Sequence, residues 1–370
     1  MRGNSLELSK EQFGIMANDS QILRIMLMRI AEFFHFMSDN KELRLYYLVP
    51  LLQNSPYAYQ HSSIRDVATL CDILDLLALF KEKEITLISD AHELFEKITK
   101  NTLHAYHALY QSDELPNLNE GNIGDIGFFL LAMQKCHSVY PAQLPNNWQE
   151  TKVRLIKQLL KRQNASGSMQ IFFDNSLNSY QTSVEAFYLP EALIGLIACI
   201  GTNSKEIDDQ LTTQVQKAIS YCCQGETRKQ NLASDTATFY ANWQFQLLYH
   251  WIQKKQLTSV EIDHIEKIIL ALSESRIANE PFGSSIATVE VACYMEGLVH
   301  AERTLELLNK PTNTHEKWFE KEINRSLRFL YEVQNTHLDS LHGGFAHSLY
   351  SYEARIDVAG HVFSGLQLLF

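Results

Sequence analysis

Residues 152–163 read KVRLIKQLLKRQ and residues 189–200 read LPEALIGLIACI, and the contrast between these two stretches decides the fold. In the first, apolar residues recur at helical spacing with Lys and Arg between them, the pattern of a helix with one solvated face. The second is apolar nearly all round, as in a helix buried on most sides.

Working outward, the same alternation recurs along the chain. Segments 20–37 and 64–80, 90–111 and 124–137, 149–163 and 181–200, 210–224 and 233–254, 261–277 and 286–308, and 316–334 and 354–369 form successive pairs. First members tend to carry charge on one face, as in FEKEINRSLRFLYEVQ at 319–334. Second members are apolar, as in DVAGHVFSGLQLLF at 357–370. Strand signals are weak throughout. The expected fold is all-α, an (α/α)6 toroid of about six helical hairpins with amphipathic helices outside and buried ones inside. An open superhelical solenoid is the rival arrangement.

The 370 residues include only 15 Gly and 8 Pro, and no stretch is rich in Pro, Gly or Ser, so one domain over 1–370 is expected. A formal net charge of -11 with no basic stripe argues against nucleic acid and anionic membrane as partners. No apolar run reaches the roughly 20 residues that span a bilayer, and MRGNSLELSKEQFG lacks the apolar core of a signal peptide. A cytoplasmic protein is expected, although export without a cleaved signal would leave the same sequence. Cys71, Cys136, Cys199, Cys222, Cys223 and Cys293 lack the spacing of a zinc site or a disulfide framework and read as reduced, buried thiols. No metal or cofactor is expected. Oligomeric state is left open.

Two first-member ends, LLKRQNASGSM at 159–169 and FLYEVQNTHLDSLHGGF at 329–345, look like the helix, Gln, glycine-turn, aromatic pattern of terpenoid cyclase repeats. The segment SVEAFYLPEALIGLI at 183–197 looks like the aromatic, Pro and Glu-Ala-Leu stretch of sugar epimerases. The chain thus resembles, in architecture, the α/α toroid families: six-hairpin glycosidases and sugar epimerases on one side, terpenoid cyclases and prenyltransferases on the other. It departs from both. The Asp-x-Asp-Asp, Asp-Asp-x-x-Asp and Asp-x-Cys motifs of the isoprenoid enzymes are absent, as is the paired-Arg motif of the epimerases.

In a toroid the inner helices share one direction, so their first turns gather at one mouth of a central cavity. Those turns contain Arg65 and Asp66, Asp125, Thr182 and Glu185, Ser234 and Asp235, Thr288 and Glu290, and Arg355 and Asp357. Converging acids in a low dielectric would separate their pKa values into acid and base roles. The plainer reading is capping, which the spacings Ser63 to Asp66 and Thr182 to Glu185 fit. Asp357 and His361 are four apart on one helix face, so the carboxylate is positioned to orient the imidazole. Arg355 would hold a substrate group, unless it simply pairs with Asp357 or Glu353. Glu290 and Tyr294 share a face, whereas Glu296 points elsewhere and His300 packs deeper. Cys293 has no convincing base in sequence.

The catalytic candidates are therefore Asp357, His361, Glu290, Asp235 and Glu185, and the substrate-binding candidates are Arg355, Tyr188, Tyr240, Trp243 and Tyr294. Aromatic faces beside carboxylates favour a carbohydrate as the small-molecule substrate in the cavity. The alternatives are an isoprenoid-binding cyclase and a non-catalytic helical-repeat protein with a groove for a partner.

Overall fold

The computed structural model describes residues 19–50, 63–87, 90–112, 121–174, 176–177, 184–234, 236–283, 285–309, 315–334, 343–346, 348 and 353–370. The first members of the six pairs form α1 (Ser20–Phe36), α3 (Ala91–Leu109), α5 (Trp148–Lys161), α7 (Lys205–Cys222), α10 (Ser259–Glu274) and α13 (Glu316–Val333). The second members form α2 (Ser63–Glu82), α4 (Ile123–Val139), α6 (Glu185–Ala198), α9 (Ala237–Ile252), α12 (Thr288–Leu307) and α14 (Ile356–Gln367).

Helices α2, α4, α6, α9, α12 and α14 pack on one another in that order, and α14 packs back on α2, so the inner helices close a ring. Outside it, α3 lies against α2 and α4, α7 against α6, α10 against α9 and α13 against α12. Burial follows the two sequence patterns. On α5 it is confined to the stripe Thr151, Lys152, Leu155, Ile156 and Leu159, whereas α12 is buried without a break from Thr288 to Ala301. Each aliphatic or phenyl side chain so buried contributes about 1.5–3 kcal/mol of transfer free energy, which drives the inner helices together. Close approach of α4 and α6 depends on two missing side chains: a Cβ at Gly127 would overlap Ala192, and one at Gly195 would overlap the Gly127 carbonyl.

Helix ends are fixed locally. Asp19 accepts from the Gln21 and Ile22 amides ahead of α1, and capping boxes start α4 (Asn122 with Asp125) and α10 (Thr258 with Glu261).

Several elements carry no hydrophobic period and escape the sequence reading. Helix α8 (Gly225–Leu232) has the polar sequence GETRKQNL, and α11 (Arg276–Asn279) is a single turn. Strands β1 (Ser38–Asp39) and β2 (Arg44–Leu45) make a small hairpin; β3 (Leu48–Pro50) pairs antiparallel with β4 (Glu353–Arg355), Leu48 opposite Arg355. The Ile356 amide then donates to the Tyr47 carbonyl at 3.0 Å, so the start of the last inner helix is tied to the segment before the first complete hairpin closes. The turn at Gly343 and Gly344 rests on Arg29 and Phe33 of α1, with Phe345 fully buried behind it. None of the described helices is long and apolar enough to cross a membrane. All six cysteines are free and buried.

Candidate active site in the central cavity

A cavity of about 320 Å³ lies among the first turns of the inner helices. Its polar wall is Arg65, Glu191, Asp357 and His361, with Arg355 and Cys293 beside them, and its apolar wall includes Phe187, Tyr188, Phe239 and Trp243. Arg65, Trp243, Asp357 and His361 also line a second chamber of about 110 Å³, which continues to Asp72, Lys135, Glu296 and His300.

Asp357 sits in the first turn of α14 between two guanidinium groups. Arg355 Nε donates to its Oδ1 at 3.0 Å, the Arg355 terminal nitrogen reaches Oδ2, and Arg65 lies 3.9 Å from Oδ2. Burial pushes the carboxyl up, but Arg65 and Arg355 hold it below the usual carboxylate range. Asp357 is therefore ionised. The Arg355 guanidinium in turn lies over the Tyr47 ring, 5.2 Å from its centre.

Glu191 has the opposite character. It is 4% exposed, and its Oε2 has no hydrogen-bond partner among the described residues. Burial pushes the carboxyl up to about 8, although Arg65 pulls against the shift. Glu191 is thus a neutral acid at pH 7, facing the same cavity as the ionised Asp357. It rises from α6 in the space left by Gly124, where a Cβ would overlap Oε2.

His361 joins two residues of α12. Its Nδ1 is 2.8 Å from Glu296 Oε2, and it lies beside Cys293 on the cavity wall. Asn242 donates to the same Glu296 oxygen at 2.7 Å and accepts from Gln246 at 3.1 Å. Burial alone would push the imidazole down; Cys293 and Glu296 hold it well above the ordinary histidine range. Burial likewise raises Glu296, and His361 more than reverses that. In the second chamber burial lifts Asp72 to about 8, reinforced by Asp75 and Glu296, and Lys135 pairs with Asp75. Among the described residues no group of three or more His, Cys, Asp or Glu is arranged to hold a metal ion.

Of the residues singled out from sequence, the structure brings Asp357, His361, Arg355, Tyr188 and Trp243 to the cavity. It turns others away. Glu290 is clamped by Arg276 at 2.8 and 2.9 Å and accepts from Thr238 at 3.4 Å. Glu185 accepts from the Tyr221 hydroxyl at 3.2 Å, facing α7. Tyr240 directs its hydroxyl to the Cys222 carbonyl and Tyr294 to Glu322, both 3.4 Å, so each packs an inner helix on the layer outside it. Asp235, Thr182 and Tyr180 lie outside the described residues. Asp125 is a capping residue, as the plainer reading has it, and Asp66 pairs with Arg44 at 3.0 Å.

Two expectations about helix faces are corrected. The cavity side of α12 is Val289, Cys293, Glu296 and His300, so Glu296 and His300 line it and Glu290 and Tyr294 do not. Asp357 does not orient His361, because two arginines hold it; Glu296 does so from the neighbouring helix. Cys293, read as lacking a base, has His361 beside it. Glu191 was missed as a site residue, and its signal was a lone carboxylate inside LPEALIGLIACI.

Neither a protein-family model nor a curated protein sequence matches the chain. Solved structures do. One described as a novel alpha-amylase from Clostridium perfringens matches with a TM-score of 0.52 at 12% identity, over 92% of this chain and 97% of that one. The Lin0763 protein from Listeria innocua matches with a TM-score of 0.56 at 10% identity, over 95% and 96% of the two chains. At these identities the likeness is one of fold, an all-α architecture of the α/α toroid type.

Proposed function

We propose that the chain is a carbohydrate-active enzyme that cleaves a glycosidic bond in the 320 Å³ cavity. The observation that carries this is the pairing of a neutral buried acid, Glu191, with an ionised carboxylate, Asp357, on one cavity wall. Glycoside cleavage needs both: a protonated carboxyl to give its proton to the leaving oxygen, and a carboxylate to meet the cationic sugar carbon or activate water. Glu191 takes the first role and Asp357 the second. Arg65 draws both carboxyls down; burial keeps Glu191 protonated against it, and Arg355, paired with Asp357, adds the second positive charge that keeps Asp357 ionised. Tyr188, Phe239 and Trp243 offer ring faces for the apolar side of a sugar. The fold likeness to a structure described as an alpha-amylase is in keeping with this reading. Among the described residues the inner helices close on one another, unlike the open concave groove of a helical-repeat binding protein, which counts against that alternative.

The test is turnover of a panel of nitrophenyl glycosides and oligosaccharides by the wild-type chain, Glu191→Gln and Asp357→Asn. Each variant should lose about 10²–10⁴-fold in kcat, and the Glu191 variant should retain more on glycosides whose leaving group needs no proton. A folded wild-type chain that neither turns over nor binds any member of the panel would remove the proposal.

A further inference from the structure

Cys293 is the one cysteine of the six that lines the 320 Å³ cavity; burial pushes its thiol up, and His361, which becomes a base once it sheds its proton, lies beside it. The three side chains come from two helices: Cys293 and Glu296 from adjacent turns of α12, and His361 from α14. Glu296 occupies Nδ1 of His361 at 2.8 Å, so once the imidazole has shed its proton the other ring nitrogen is the one left to take up a thiol proton. Asn242 fixes the Glu296 carboxylate in turn. A second feature points to a ligand at the same place: Glu191 Oε2, buried and without a hydrogen-bond partner among the described residues, faces this cavity and as a neutral acid offers a proton to an oxygen there.

We infer that Cys293, His361 and Glu296 form a second catalytic device in the cavity, a thiol nucleophile with its base and a positioning carboxylate, whose substrate class is a carboxylic ester. The thiol sulfur bonds to the acyl carbon, and the thiol proton passes through His361 to the departing alcohol oxygen as the carbon–oxygen bond breaks. Water then splits the thioester, giving the carboxylic acid and restoring the thiol. The reaction attacks an acyl carbon, whereas the glycoside reading concerns a sugar carbon, so the two stand or fall separately.

The probe is p-nitrophenyl acetate, followed by release of nitrophenol, by intact mass and by peptide mapping of the folded chain. The other five cysteines are internal controls, since each is buried and none lines this cavity. The expected result is one acetyl adduct on Cys293, formed about 100-fold faster than on any other cysteine and slowed about 100-fold or more in His361→Asn. Glu296→Gln gives the readout a merely structural role would not move. Around His361 lie Cys293, Glu296, Asp357, Asp72, Glu191 and Arg65, and of these Glu296 is the carboxylate bonded to it. Losing that charge lets the imidazole shed its proton at lower pH, so the pH at which acylation reaches half its maximum moves to lower values. No adduct on Cys293 of the folded wild-type chain, an adduct formed as fast in His361→Asn, or an unmoved midpoint in Glu296→Gln would each overturn the assignment.

Discussion

The side-chain amide of Gln334, at the end of α13, donates both to the Met26 carbonyl of α1 at 3.4 Å and to the Gly343 carbonyl at 3.1 Å. One residue thus ties the last outer helix to the first and braces the glycine turn that leads to α14. Gln163, at the end of α5, does the same: it donates to the Gly167 carbonyl at 3.3 Å and to the Gln214 carbonyl of α7 at 2.9 Å. The shared Gln and glycine-turn pattern is a device for joining adjacent outer helices, used once within the ring and once across its seam.

Gln334→Ala takes the side-chain donor from the buried Gly343 carbonyl, at a cost of about 1–3 kcal/mol, and the second donor from the Met26 carbonyl, which keeps its partner within α1. The expected effect is a loss of about 2 kcal/mol or more, read as a lower denaturant midpoint, and Gln163→Ala should behave alike. A change within about 0.5 kcal/mol, typical of a surface substitution, would show that the pattern does not hold the ring.

Gly195→Ala and Gly201→Ala separate close packing from backbone strain. At Gly195 a methyl group would overlap the Gly127 carbonyl, so α4 and α6 must move apart. At Gly201 the backbone has φ 86° but nothing lies within 4 Å of the added carbon. The first change should cost about 2–3 kcal/mol and the second about 1 kcal/mol, measured side by side by chemical denaturation.

These contrasts show how much of the molecule was legible in sequence. The six pairs of helices were, because the charge stripe on α5 or α13 and its absence on α6 or α14 report directly which helices meet water. The phase of α12 was not. A helix buried from Thr288 to Ala301 has no hydrophobic period to show which side faces a cavity, so Glu290 and Tyr294 were preferred to Cys293 and Glu296. The partner of His361 was hidden for another reason: spacing on one helix pointed to Asp357, whereas Glu296 is 65 residues away in sequence. Asp357, for its part, is held by a residue two positions before it and by Arg65 from a distant helix, which only closure of the ring brings near.

Asp72 makes the stability of the fold pH-dependent. Its carboxyl titrates near 8 when folded, against about 3.9 for an unfolded aspartate, so between those values the folded chain binds the extra proton. Stability then falls as pH rises through this window. Asp72→Asn removes the titration and should flatten the decline, gaining about 5 kcal/mol at pH 8.5 and little near pH 4. Denaturation midpoints of both proteins across that range test it; equal slopes would mean that Asp72 stays ionised throughout.

Arg65 influences both carboxyl groups of the proposed acid and base, and its removal should displace them together. It lies 3.9 Å from Asp357 and lowers the pKa of both Asp357 and Glu191. In Arg65→Gln both therefore rise, while Arg355 still holds Asp357. For a hydrolase that needs Asp357 ionised and Glu191 protonated, the acid limb of the pH–rate profile moves up because the first group is harder to ionise. The alkaline limb moves up because the second keeps its proton longer. The whole bell should shift to higher pH by about one unit, the size expected for losing an opposite charge at this distance. Carboxyl titrations followed by carbon-detected NMR give the same answer without a substrate. A profile that narrows or broadens, with only one limb displaced, would mean that Arg65 serves one carboxylate and that the other takes its protonation state from burial alone.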